Sequence, residues 1–141
     1  MENQRLKQAT AKAVKSLYQT LPILVGAILL VSLANVLIPK TFYSTIFRNN
    51  FFLDPFIGSA IGSILAGSPI TSYLIGGELL KQGISLIAVT AFLVAWVTVG
   101  IVQLPAESIM LGKKFAVIRN ITAFLFAIIV AIITVVIVGV L

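Results

Sequence analysis

Residues 55–83 read PFIGSAIGSILAGSPITSYLIGGELLKQG, and their interpretation decides the fold. The stretch is apolar enough for lipid, yet it carries Gly67, Ser68, Pro69, Thr71 and Ser72 at its middle and Gly76, Gly77 and Glu78 beyond them. Pro69 removes a backbone donor and Gly67 permits a sharp turn, so a single uninterrupted helix is not expected. Asp54–Pro55 is expected to start a first helix, with the aspartate as N-cap and the proline at the first helical position. Gly58, Gly62 and Ala66 then share one ridge at i+4 spacing, with Ser59, Ser63 and Gly67 beside them. Small residues at this interval let helix backbones approach closely in lipid. The first helix, from Pro55 to Ala66, is about 18 Å long at the α-helical rise, roughly half a bilayer. A second short helix is expected from Pro69 to Gln82, closed by Gly83.

The surrounding chain supports a lipid environment. Of its 141 residues, 60% are hydrophobic and 10% charged, and its mean hydropathy is +1.14. A soluble domain carries roughly 25% charged residues. The expected fold is an all-α integral membrane protein forming one membrane domain. It has three full transmembrane helices plus a broken-helix re-entrant hairpin, or else four spans, and a basic amphipathic N-terminal helix. The expected order is a basic segment over 1–16, a first span over 17–39, an interfacial aromatic segment over 40–54 and the broken hairpin over 55–83. A span over 84–104 with Trp96 near its centre follows, then a short helix over 105–114 and a last span over 115–141. Pro22 is expected near the start of the first span, and Asn35 is the amide inside it. Arg119 is expected to reach toward headgroups. The basic N-terminal segment either lies on the cytoplasmic leaflet or is a solvated tail.

Basic residues set the topology, since cytoplasmic segments favour Lys and Arg. If 55–82 is one kinked span and the N-terminus is inside, the ten bases divide five against five. If it re-enters, Lys113, Lys114 and Arg119 move inside and the division is seven against three. The hairpin, with a cytoplasmic N-terminus in a multi-pass plasma-membrane protein, is the preferred arrangement. The apolar run after the basic start is too long for a signal peptide and no cleavage-like site follows it, so it is expected to remain as the first span.

The composition also excludes several chemistries. There are no cysteines and no histidines, so disulfides, thiolate chemistry and the usual zinc and haem sites are not expected. No catalytic constellation is evident, and neither an enzyme nor a cofactor is expected. The net charge of +6 comes from bases at the ends of apolar runs, which fits a membrane surface rather than nucleic acid.

The break itself is the candidate substrate-binding site. Backbone broken at membrane depth is tolerated only where protein or a watery cavity covers it. A half-helix starting at Pro69 aims its N–H groups and positive dipole end at such a cavity. The residues assigned to substrate binding are Gly67, Ser68, Pro69, Thr71, Ser72 and Glu78. Two readings stand beside each other: a solute or ion site, or a kinked helix whose hydroxyls satisfy its own backbone. Glu78 is either a proton- or cation-carrying carboxylate or an interfacial acid paired with Lys81 at i+3. Glu107 is expected to be a first-turn helix charge near Lys113 and Lys114.

The block GSPITSYLIGGELLKQGISLIAVTAFLVAW, continuing to QLPAESIMLGKKFAVIRN, resembles the ArsP-like predicted permeases, which include organoarsenical exporters and putative metal exporters. The likeness covers roughly residues 55–125. It rests on the Gly67–Ser72 turn, Leu79-Leu80-Lys81-Gln82-Gly83, Ala91-Phe92-Leu93, Pro105, Gly112-Lys113 and Arg119. The family's turn often carries a cysteine and this chain has none. Full-size members have two related halves, and this chain corresponds to about one. The resemblance therefore implies a half-size permease that pairs with a second copy or a related half. The pair would form a secondary transporter that exports a small solute or ion. The alternatives are a small proton-coupled multidrug exporter that uses Glu78, and a non-transporting membrane scaffold whose Gly58/Gly62/Ala66 ridge serves assembly.

Overall fold

A computed structural model describes residues 2–37, 45–65 and 67–140, with the side chains of 2–6, 20, 23, 24, 27, 31, 34, 35 and 140 excepted. Ala66, the Asn35 side chain and the aromatic positions Phe42 and Tyr43 lie outside this description. All regular structure among the described residues is helical. The chain divides into two compact units, 1–37 and 38–141.

The first unit is one helix, α1, Glu2–Leu37, of 36 residues. The basic segment expected over 1–16 and the span expected over 17–39 are continuous. Ala, Gln, Lys, Leu and Arg dominate positions 4–17, and all favour helix. Pro22 is therefore interior to the helix rather than near its start, and it forfeits one backbone hydrogen bond there.

Five helices of eight or more residues are found among the described residues of the second unit: α2 (Leu53–Ile64), α3 (Pro69–Lys81), α4 (Leu86–Thr98), α5 (Leu104–Leu111) and α6 (Lys113–Val140). Helix α4 is the core element. Its Ile87 and Ala91 cluster with Ala131, Ile132 and Val135 of α6, while Ala95 and Val99 cluster with Ala123, Phe124 and Ala127. Rising numbers on α4 meet falling numbers on α6, so the two helices are antiparallel.

Helices α2 and α3 meet α4 in opposite senses. A Cβ on Gly58 would stand 2.2 Å from the Ala88 carbonyl oxygen, and one on Gly62 would stand 2.4 Å from that of Phe92. Positions 58 and 62 thus face 88 and 92 in the same direction along both helices. On α3 the order reverses: Gly67 lies against Trp96, Gly76 against Val89 and Leu93, and Leu79 joins the Ile84, Ala88 and Val89 cluster. Helices α2 and α3 are therefore the two arms of a helical hairpin laid on α4. Its tip is near Trp96 and its open end near Ser85.

Asp54 holds the open end together. It is 1% exposed. It does not cap α2 as expected: the N-cap position is Phe52, whose side chain makes no cap bond, and the Asn50 side-chain oxygen accepts from the Phe52 and Leu53 amides at 3.1 and 3.4 Å. One Asp54 carboxylate oxygen instead accepts from the Arg48 amide at 3.2 Å, and the other from the Ser85 hydroxyl at 3.0 Å. This joins the loop before α2 to the start of α4. Asp54→Ala strands both donors in a closed site and is expected to cost about 2–3 kcal/mol. Asp54→Asn, which keeps one acceptor, should cost less. Denaturation of the two variants in mixed micelles checks the order.

Two expected spans change. The helix placed over 84–104 stops at Thr98, because Val99 is extended and residues 99–103 form a turn. The short helix placed over 105–114 is α5, ended by Gly112 at φ 90°, a left-handed value that favours glycine. The last helix starts at Lys113, two residues earlier than expected. Among the described residues, one helix, 113–139, is long and apolar enough to cross a membrane. Helices α2 and α4, with 12 and 13 residues, are shorter than a span requires.

Candidate functional site

The hairpin tip is built from local chemistry. Leu65 is extended and ends α2. Ser68 caps α3, its hydroxyl oxygen accepting from the Thr71 amide at 3.3 Å and lying 3.0 Å from the Thr71 hydroxyl. Pro69 occupies the first turn, where its missing N–H costs nothing. With the Thr71 donor taken by the cap and none on Pro69, the Ile70 amide is the first-turn donor left for an outside partner.

The six residues assigned from sequence fall into three groups. Gly67, Ser68, Pro69 and Thr71 lie together at the tip, where Gly67, Ser68 and Pro69 are exposed. Ser72 is 1% exposed, and its hydroxyl donates to the Pro69 carbonyl at 2.7 Å. Its side chain thus serves helix packing and its own backbone. Glu78 stands at the other end of α3, roughly 15 Å along the axis from Ser68 at the helical rise. Its carboxylate pairs with Lys81 at 3.2 Å, the i+3 partner that the spacing predicts. The pair is exposed on the lysine side, 77% against 23%, and contributes little to stability.

Residues the sequence reading did not select complete the site. The Trp96 indole donates to the Gly67 carbonyl at 3.3 Å, which fixes the turn at a position where the chain lacks helical bonds. The second chain break, 99–103, lies at the same level. A small cavity of about 50 Å³ is lined by Ser63, Gly67, Trp96, Gly100 and Gln103, so both breaks border it. That volume admits a water molecule or a bare ion.

The second break is held by a polar clamp on α6. Asn120 is 6% exposed. Its side-chain oxygen accepts from the Gly100 amide at 2.9 Å, and its amide nitrogen donates to Ala116 O at 2.9 Å and to Glu107 at 3.3 Å. Arg119 forms an ion pair with Glu107 and reaches the Thr98 carbonyl at 3.5 Å. Glu107 is thus a first-turn charge of α5, as expected, and its ion-pair partner is Arg119, which is held by protein rather than reaching freely outward. A Glu in the first turn of a short helix, followed by an Arg-Asn doublet before an apolar run, was the available signal. On the far side of the 99–103 turn runs an apolar groove of about 450 Å³, with walls that include Ala60, Ser63, Val99, Ile101 and Phe124. The turn is thus a partition between the groove and the small cavity.

Among the described residues no group of three or more acidic, His or Cys side chains could hold a metal ion. No known family, curated protein or solved structure matches this chain.

Proposed function

We propose that the chain is a half-size permease subunit of the plasma membrane. On this reading it works as a dimer and exports a small solute or ion by secondary transport, as the ArsP-like resemblance implies. The observation that carries the proposal is the meeting of two chain breaks, at 65–68 and 99–103, around one small cavity. Backbone left outside helices in an apolar protein is costly unless it lines a site. In this reading the α2–α3 hairpin re-enters the bilayer and helices α1 and α6 cross it. The backbone at Gly67 lines that cavity, and on this reading the Ile70 amide and the Ser68 and Thr71 hydroxyls, on the outer side of the tip, meet the solute as it approaches.

The two alternatives fit less well. A proton-coupled exporter built on Glu78 needs that carboxylate close to the solute path, and it is instead paired with Lys81 at the far end of α3. A scaffold built on the Gly58/Gly62 ridge needs that ridge open to a partner, and it is spent on α4 within the same chain.

Counterflow in proteoliposomes, over a panel that includes arsenite, a methylated arsenical and small organic cations, tests the proposal. At least one solute should exchange in the wild type. Ser68→Ala combined with Thr71→Val should lower that rate about tenfold, the equivalent of one or two lost hydrogen bonds. Gly77→Ala, with nothing within 4 Å of its new methyl, should leave it unchanged. A wild type that moves no member of the panel returns the scaffold reading.

A further inference from the structure

The elbow between α5 and α6 presents a surface that the transport reading does not use. Helix α5 buries none of its residues. Ile109, Met110 and Leu111 are 86, 82 and 59% exposed, and Phe115 just beyond the turn is 54% exposed. Lys113 and Lys114 stand between them, exposed, and neither forms an ion pair among the described residues. The one acid of the elbow, Glu107, is turned inward and neutralised by Arg119. The exposed surface of the elbow therefore combines four large apolar side chains with two lysines that have no ion-pair partner among the described residues, and no unpaired acid.

We infer that this elbow is an interfacial foot that docks on an anionic lipid leaflet, an inference that rests on the membrane reading above. Ile109, Met110, Leu111 and Phe115 enter the boundary between headgroups and acyl chains, and Lys113 and Lys114 meet lipid phosphates. Apolar residues beside unpaired lysines match such a surface in both chemistry and sign. A second copy of the chain fits poorly, because an isologous contact would set lysines against lysines. Helix α5 has eight residues, about 12 Å at the helical rise, too few to penetrate further. The clamp through Glu107, Arg119 and Asn120 holds α5 against α6, so the foot is oriented before it meets lipid.

The chain lacks cysteine, so a single fluorophore can be placed by Met110→Cys, with Ile129→Cys on α6 as the control. Each labelled full-length protein is reconstituted in phosphatidylcholine vesicles carrying either spin-labelled phosphatidylglycerol or spin-labelled phosphatidylcholine. The label at 110 should be quenched preferentially by the anionic lipid. That preference should fall roughly fivefold for each lysine removed by Lys113→Gln or Lys114→Gln, and it should shrink in high salt. The label at 129 should be quenched equally by both lipids. Equal quenching at 110 by the two lipids overturns the recognition of anionic headgroups. Quenching at 129 with none at 110 overturns the docking of the foot. Quenching at neither position overturns the membrane reading itself, and the foot with it.

Discussion

Gly58→Ala and Gly62→Ala are each expected to destabilise the second unit by about 3 kcal/mol or more, the upper end of overpacking costs. The reason is the identity of the atoms that a methyl would meet. On Gly58 it would sit 2.2 Å from the Ala88 carbonyl oxygen. On Gly62 it would sit 2.4 Å from the Phe92 carbonyl oxygen and 3.1 Å from the Trp96 nitrogen. These are backbone atoms of α4, and no rotamer change moves them away. The helices must separate instead, and a gap of about 0.5–1 Å already forfeits a quarter to a half of each dispersion contact along the interface. Gly76→Ala meets only side-chain atoms, of Leu93 and Val89 at 3.1 and 3.2 Å, and should cost less. Gly77→Ala meets nothing and should gain up to about 1 kcal/mol from helix propensity. Unfolding midpoints in mixed micelles rank the four variants. Equal midpoints for Gly58→Ala and Gly77→Ala would show that α2 and α4 do not approach as closely as described.

The same contacts show what the sequence could and could not reveal. The hairpin tip was legible because its causes are local: Pro69 lacks a donor, Ser68 is a cap, and Gly67 allows the turn. The close approach at Gly58 and Gly62 was legible from spacing, although the partner helix was not, because spacing marks a small ridge without saying what lies against it. The pairing of Glu78 with Lys81 needed only three residues of sequence. The end of α4 at Thr98 was hidden because its cause lies twenty residues on. The Gly100 amide is taken by the Asn120 side chain, and nothing between 84 and 104 announces that competition. Glu107 is a first-turn charge of α5, as its position implies, but its partner was hidden for a related reason. Proximity in sequence favoured Lys113 and Lys114, but the turn at Gly112 folds α5 back along α6 and presents Arg119 instead. Asp54–Pro55 has the form of a capped helix start, yet the helix begins at Leu53, which puts Asp54 inside the first turn with its carboxylate on Arg48 N and Ser85. The continuity of α1 was hidden because the change from basic to apolar composition near residue 17, with Pro22 close behind it, has the form of a helix start, whereas the strong helix formers before it carry one helix through.

Asn120→Ala is expected to release the 99–103 turn. Asn120 is buried and spends both ends of its amide: it accepts from the Gly100 amide and donates to Ala116 O and Glu107. Truncation leaves the Gly100 donor and one Glu107 oxygen without those partners, a loss of about 2–3 kcal/mol. Hydrogen exchange separates this clamp from simple packing. In Asn120→Ala the Gly100 amide should exchange about 30–150-fold faster, the same free energy expressed as a local opening constant. Asn120→Asp keeps the shape and an oxygen facing Gly100, so that amide should stay protected. It also sets a second carboxylate against Glu107, so global stability should fall at least as far as in the alanine variant. Glu107→Gln should do less, because the Arg119 side chain is 38% exposed and water takes up part of its charge. About 1 kcal/mol is expected, with Gly100 still protected. If Gly100 exchange is unchanged in Asn120→Ala, Val99 and Gly100 end α4 by themselves and the clamp is a consequence of the break. If exchange rises there and stays slow in Asn120→Asp, the partition between groove and cavity depends on a single side-chain oxygen. Counterflow by the Asn120→Ala variant then shows whether a closed partition is what the transport cycle requires.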